Sequence, residues 1–426
     1  MFFKKLTLDG KINLFLAAVL TVYLIFIGTS LVQNDFCGFL ATDYCAYWTG
    51  GRIMNEQEIA AIYDMDILHQ VQEKFFLQAT EFIQEPQVVP LPYLPVFLLP
   101  FKALALVDIP YSYLTWTVIN LVALVLYLRF FIKDLTGKPL PNKILLLTLV
   151  SLPVFLNLKN GQLNIWLGIC AGEYMRALLH SKPIKAGAWL GGWLLKPQLL
   201  IFILPLLLFR KSFKELAGFI ASALVIGLIS FGLVGTEGFI GLVNLLMDSA
   251  QGGASSYPQY MINWRMVGLQ IASLTSQNVG WLIIVVGSLL TVYFAFRTFL
   301  KNEQDLTPER KVIWFFGVLA ATLVVTWHSH GAMAIVLIPP MLYLLVQEKL
   351  DRRLFLGWVV IPDLAYFMLY LVYALISAGG RMSTSLVFLS LFEGFPGFIF
   401  MLVFLLWAIR RYQSSDSKMS PEVLDG

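Results

Sequence analysis

Eleven long apolar runs dominate the sequence, at about 12–32, 111–132, 143–158, 161–180, 185–209, 214–234, 279–298, 312–327, 332–347, 354–377 and 385–409. A helix needs roughly 20 apolar residues to cross a bilayer. Only segments that satisfy their own backbone hydrogen bonds can do so. The run at 185–209 is interrupted by Lys196-Pro197, where two short helices fit better than one straight span. Counting it twice predicts about twelve crossings. The stretch 91–107 carries Pro92, Pro95 and Pro100 and reads as re-entrant or interfacial. Apolar residues make up 58% of the chain and charged residues 13%, with a mean hydropathy of +0.75. Soluble domains carry about 25% charged residues. A soluble enzyme, a disordered chain and a disulfide scaffold are excluded. The expectation is an all-α polytopic membrane protein, one membrane domain over 1–411, with a disordered cytoplasmic tail at 412–426.

The charges orient it. Lys4, Lys5 and Lys11 precede a first run too long for a signal peptide and without a clear cleavage site, so it reads as an uncleaved span. Basic residues collect at 4–11, 129–143, 182–185, 210–214, 297–311, 349–353 and 410–418, and these clusters hold 22 of the 30. Alternating crossings place all of them on one side if 185–209 crosses twice and 91–107 does not cross. The positive-inside rule makes that side, and both termini, cytoplasmic. Two large segments, 33–90 and 235–278, then form external loops. The first carries nine acids and two bases, and Ile67, Val71, Phe75 and Phe82 predict an amphipathic helix within 56–82. A net charge of +4 is too small to imply a nucleic-acid partner. Cys37 and Cys45 can pair in an oxidising space, and Cys170, in an apolar run, reads as a small core residue.

Ionisable and polar groups near a bilayer are the first functional suspects. Asp43 lies in the stretch Ala41-Thr-Asp-Tyr-Cys-Ala-Tyr-Trp-Thr-Gly-Gly-Arg52, which begins just beyond the first span. Two readings compete: a carboxylate made more basic by aromatic surroundings, or a helix cap by Thr42 or Asp43. Asp35 is a rival acid. Gln162 and Asn164, at an external turn, can hydrogen-bond a sugar or cap a helix. Lys196 can hold a phosphate in a cavity, snorkel to an interface, or pair with Glu173. Arg265, beside Trp264, can anchor a phosphate or stack as a headgroup anchor. His328 and His330 form an external His-x-His turn. A metal there lacks a neighbouring acidic ligand, which leaves substrate hydrogen bonding or a plain polar turn. Asp363 is a mid-membrane acid that can pair across helices or cap after Pro362.

The order of these motifs resembles glycosyltransferase family 87. The resemblance rests on Asp43-Tyr44 with Gly50-Gly51-Arg52, Ile62-Tyr63-Asp64, Tyr93-Leu94-Pro95, Gly161-Gln-Leu-Asn164, Leu195-Lys196-Pro197, Asn263-Trp-Arg265 and the histidine turn before Pro339. The family usually has Tyr-Pro-Pro where this chain has Tyr93-Leu94-Pro95, and the Arg52 to Tyr63 stretch is longer than usual. The resemblance implies a C-type membrane fold with its active site at the outer face of the cell membrane. It implies a hexose donor, mannose above all, on polyprenyl phosphate, and a lipid or glycan acceptor. Asp43 would be the general base of an inverting transfer. Arg52, Tyr93, Gln162, Asn164, Lys196, Gln198, Asn263, Arg265, His328 and His330 would contact substrate, with no metal or cofactor. A transporter or flippase is the rival reading. Transporters commonly show internal repeats, and none is visible here.

Overall fold

The structure, a computed structural model, describes residues 7–32, 37, 42–75, 88–250, 258–300, 306–378 and 391–414. Asp35, Phe82, Gly252, Gly253, Arg381 and most of the polar tail lie outside them. Among the described residues the regular structure is helical, and the one β-bridge, Met261 with His330, is isolated. Among the described residues, four helices are long and apolar enough to cross a membrane: α5 (Ile109–Thr136), α11 (Phe213–Ala250), α13 (Gln277–Phe299) and α17 (Gly394–Ser414). A fifth span forms if α6 (Asn142–Val150) and α7 (Leu152–Asn160), which meet at 56°, count as one. Several of the apolar runs expected to cross are broken into short helices, as at 185–209 and 332–347. The chain divides into two compact units. One comprises 1–126, 141–163 and 225–256, and the other 127–140, 164–224 and 257–426.

In the first unit, α1 (Leu8–Val32) packs on α6. Tyr23 donates to the Val150 carbonyl at 2.8 Å and stacks on Phe155. Pro153 interrupts the backbone ladder where α6 meets α7, and the Ser151 hydroxyl takes up the Thr148 carbonyl at 2.6 Å. Helix α2 (Thr42–Glu56) is buried nearly all round, as a core helix must be. Gly50 and Gly51 let α4 (Pro95–Leu104) close on it, for a Cβ at Gly51 would collide with the Phe101 carbonyl. With ten residues, about 15 Å, α4 is too short to cross. The amphipathic helix of the first loop is α3 (Met65–Phe75), but its buried face runs through Leu68 and Gln72. The Gln72 amide exchanges hydrogen bonds of 2.8 and 2.9 Å with the Val89 backbone. An amide that pairs with backbone buries as well as an aliphatic side chain, and a hydrophobicity pattern does not see it.

Helix α11 kinks at Gly235 (φ 63°) and continues to Ala250, so 235–250, expected as loop, is helical. Leu242 and Leu245 are buried there. Thr236 and Glu237, next to the glycine, mask the apolar spacing in the sequence.

The second unit carries α8 (Asn164–Leu179), α9 (Pro183–Leu190), α10 (Leu200–Phe209), α12 (Trp264–Leu274), α13, α14 (Pro308–Val325), α15 (Ile338–Val346), α16 (Arg352–Ala378) and α17. Between α9 and α10 the chain forms two short 3₁₀ turns, Gly191–Leu195 and Pro197–Leu199, with Lys196 at the joint. The break read at Lys196-Pro197 is therefore present. Helix α9 meets the first turn of α11 across two glycines: a Cβ at Gly187 would collide with the Glu215 carbonyl, and one at Gly218 with that of Ile184. Close backbone approach of this kind is how helices pack where lipid supplies no hydrophobic drive. Gly187→Val should therefore cost roughly 1–3 kcal/mol, the usual penalty of overpacking. It should lower the thermal unfolding midpoint of the detergent-purified protein. Gly227→Ala, with open space around the glycine, should leave the midpoint unchanged or raise it.

Candidate active site

In the first unit the polar groups gather on Asp43. Asp43 lies in the first turn of α2, where the helix dipole favours a carboxylate. Gln162 Nε2 donates to Asp43 Oδ2 at 2.7 Å. What brings Gln162 there is the turn ending α7. Gly161 is left-handed (φ 66°), and a Cβ on it would lie 2.5 Å from Tyr44 Cβ, so the position requires glycine. The Trp116 indole donates to the Gly161 carbonyl at 2.9 Å, and Tyr113 donates to the Leu158 carbonyl at 2.8 Å. The Tyr44 hydroxyl pairs with Ser112. The same stretch read as a helix cap or sugar contact thus delivers an amide to the acid.

Tyr47, one helical turn after Asp43, was not singled out from the sequence. Its hydroxyl lies 3.2 Å from that of Tyr93, and the Tyr63 hydroxyl fixes the Tyr93 carbonyl at 2.6 Å. Burial, then Tyr93 and the Asp43 charge, raise the Tyr47 hydroxyl well above its usual range. Burial and then Asp43 push Tyr93 up to about 12. Both remain neutral donors beside the carboxylate. The i, i+4 spacing of Asp43 and Tyr47 was the available signal. Arg52 takes another direction. It pairs with Glu56 and lies over the Trp48 ring at 5.8 Å. Cys37 and Cys45 form a disulfide with Cα atoms 5.8 Å apart, tying the entrance of α2 to the segment before it.

In the second unit Lys196, Gln198, Arg265, His328 and His330 come together. The two imidazoles meet edge to face at 4.6 Å. Gln198 Nε2 donates to the His328 carbonyl at 3.4 Å. Arg265 lies over the Trp327 ring at 4.3 Å and donates to its carbonyl at 3.5 Å. Burial, then Lys196 and Arg265, push His328 down to about 4. Burial, then His328 and Lys196, hold His330 well below its ordinary value. Burial also lowers Arg265. Asn263 caps α12, accepting from the Met266 amide at 3.1 Å and donating to the Thr326 carbonyl at 2.7 Å. It holds the histidine turn rather than offering its amide to a ligand. The Ile262 amide secures the same turn on the Ser329 carbonyl at 2.8 Å. Asn164 is buried at the start of α8. Glu173, once a prospective partner for Lys196, is held by two hydrogen bonds of 2.7 Å from Arg176. Among the described residues no three His, Cys, Asp or Glu side chains gather as metal ligands would.

Apolar helices carrying buried, hydrogen-bonded acid and cation clusters define a membrane protein built for polar chemistry. Residues 92–326, more than half of the chain, match glycosyltransferase family 87, and the chain belongs to that family. It is a membrane glycosyltransferase. No curated protein and no solved structure matches the chain.

The neutral histidines have a consequence for stability. An unfolded histidine titrates near 6.5, above the folded value of about 4 for His328. The unfolded chain therefore binds the extra proton, and stability is full above about pH 6.5 and falls as pH drops toward 4. His328→Asn should flatten the fall in thermal midpoint between pH 7 and 5. An unchanged slope in that variant would assign the acid sensitivity to other groups.

Proposed function

We propose that the protein transfers a hexose, mannose in the first instance, from polyprenyl phosphate to a lipid or glycan acceptor. The transfer takes place at the outer face of the cell membrane, in a C-type fold of about twelve crossings with both termini cytoplasmic. The acceptor oxygen attacks the anomeric carbon from the side opposite the phosphate, and the bond from that carbon to the phosphate oxygen breaks with inversion. The bonding pair leaves with the polyprenyl phosphate, and the acceptor proton passes to the Asp43 carboxylate. The observation that carries this reading is the Asp43 carboxylate fixed by Gln162 at 2.7 Å. A general base needs that kind of orientation before it needs a particular pKa. Tyr47 and Tyr93 supply neutral hydroxyls for sugar or acceptor. Lys196 and Arg265 supply positive charge for the departing phosphate, where negative charge develops. His328 and His330, being neutral, can each accept as well as donate a hydrogen bond to it. The Cys37–Cys45 disulfide supports an outer-face first loop, because disulfides persist in oxidising compartments.

The test is in vitro transfer from radiolabelled polyprenyl-phosphate mannose and glucose to cell lipid extracts. Asp43→Asn keeps the shape and the Gln162 contact but cannot take the proton. It should lower turnover by about 10²–10⁴-fold while donor binding survives. Retained turnover in Asp43→Asn with loss in Asp35→Asn would move the base to Asp35.

Lys196→Ala should raise the donor KM and leave expression intact. Lys196→Arg should be only partly active, since a planar guanidinium replaces a compact ammonium. Unchanged donor kinetics in Lys196→Ala would leave snorkelling as the account of that residue.

A further inference from the structure

The second unit holds a cleft at the other end of its helices, far from the histidine turn. Pro183 at the start of α9, Arg210 just past the end of α10, and Lys311 and Trp314 in the first turns of α14 all line it. His328 lies three residues beyond the far end of α14. The stretch of α14 from Lys311 and Trp314 to Val325, at about 1.5 Å per residue, separates the two by roughly 17–21 Å. The cleft is therefore a different place from the cation cluster around Lys196.

Its volume is about 380 Å³, in the range of small-ligand sites. Three cations on three separate elements border it: Arg210, Lys214 in the first turn of α11, and Lys311. Arg210 is pinned over the Trp314 ring at 4.6 Å. Among the described residues no carboxylate comes within ion-pair distance of any of the three. The one acid among the described lining residues, Glu215, accepts from the Tyr174 hydroxyl at 2.7 Å, bonds Ser212, and lies in the field of Arg210 and Lys311 without forming an ion pair with either. Among the described lining residues, three cations stand against this one carboxylate, and the balance is positive. The N-terminal turn of α11 adds its dipole in the same sense. Topogenic lysines need only lie on the cytoplasmic side of a membrane. They do not need to converge on one cavity from three helices, with Ser181 and Ser212 among them.

The remaining lining is apolar: Leu178, Leu207 and Leu306. Phe209 and Phe213, each next in sequence to a lining cation, are exposed to 63% and 62%. Large apolar side chains exposed together beside a polar rim are suited to contact with lipid. A ligand that meets the phosphate chemistry and the apolar flank together is a lipid. We propose that this cleft binds the phosphate of an anionic membrane phospholipid, on the side of the membrane opposite the histidine turn. The binding is separate from the transferase reaction. It rests on neither Asp43 nor Lys196.

The test uses the full chain purified in neutral detergent, with native mass spectrometry and thermal unfolding as readouts. Phosphatidylglycerol should be retained and should raise the unfolding midpoint, and phosphatidylcholine of the same chains should do neither. Lys214→Ala/Lys311→Ala should weaken phosphatidylglycerol retention by about tenfold or more, while Lys214→Arg/Lys311→Arg should keep it. Lys214 is exposed, so Lys214→Ala alone folds and should show a smaller loss. Equal retention of both lipids, or undiminished phosphatidylglycerol binding in the alanine variants, would overturn the proposal. Inorganic phosphate that raises the midpoint as phosphatidylglycerol does would also overturn it, assigning the cleft to a free anion.

Discussion

Hydrocarbon offers a peptide group no hydrogen-bond partner, and the rest of this architecture depends on that constraint. The chain must be helix wherever lipid touches it. Each departure from helix has to bring its own donors. The structure shows the departures and their donors together. The bend between α6 and α7 is bridged by Ser151. The Gly161 turn is held by Trp116, and the carbonyl of Leu158 by Tyr113. The histidine turn is held by Asn263 and the Ile262 amide. Beside the Lys196 break, the Trp193 indole donates to the Leu167 carbonyl of α8 at 3.2 Å and ties the 3₁₀ turn to that helix.

The same departures carry the polar side chains. Gln162 follows Gly161, Lys196 stands at the joint of two 3₁₀ turns, and His328 and His330 flank Ser329. A broken helix frees backbone groups, and the side chains recruited to satisfy them fix the geometry of their neighbours. Fold and chemistry are therefore not separable at these points. Removing Asn263 would disturb the imidazoles without touching them.

This coupling also explains what could be read from the sequence. The helical character, the break at Lys196-Pro197 and the cation cluster were legible, because apolar runs and charges inside them are strong local signals. The Asp43–Gln162 pair was half legible: both residues stood out, but no spacing rule links positions 119 apart. Tyr47 and the buried face of α3 were missed because their partners, Tyr93 and the Val89 backbone, come from distant sequence. Arg52 was legible as part of the motif, but its local partner was not. Glu56, one turn away, was a competing local partner that the motif did not weigh. The helix at 235–250 was hidden by its own kink. A single positive-φ glycine beside two polar residues reads as loop, although only one residue leaves the helix.

The neutrality of His328 and His330 has a bearing on turnover. In the proposed reaction the donor is a phosphodiester, and the leaving product is a phosphomonoester that can carry a second negative charge. A cluster of four permanent cations would bind that product more tightly than the donor and be slow to release it. In the ligand-free protein the imidazoles are uncharged, and Lys196 and Arg265 carry the fixed charge of this cluster, two units for a product of at most two. The histidines contribute orientation without adding to the electrostatic trap, so one patch can grip the donor and still let the spent lipid diffuse away.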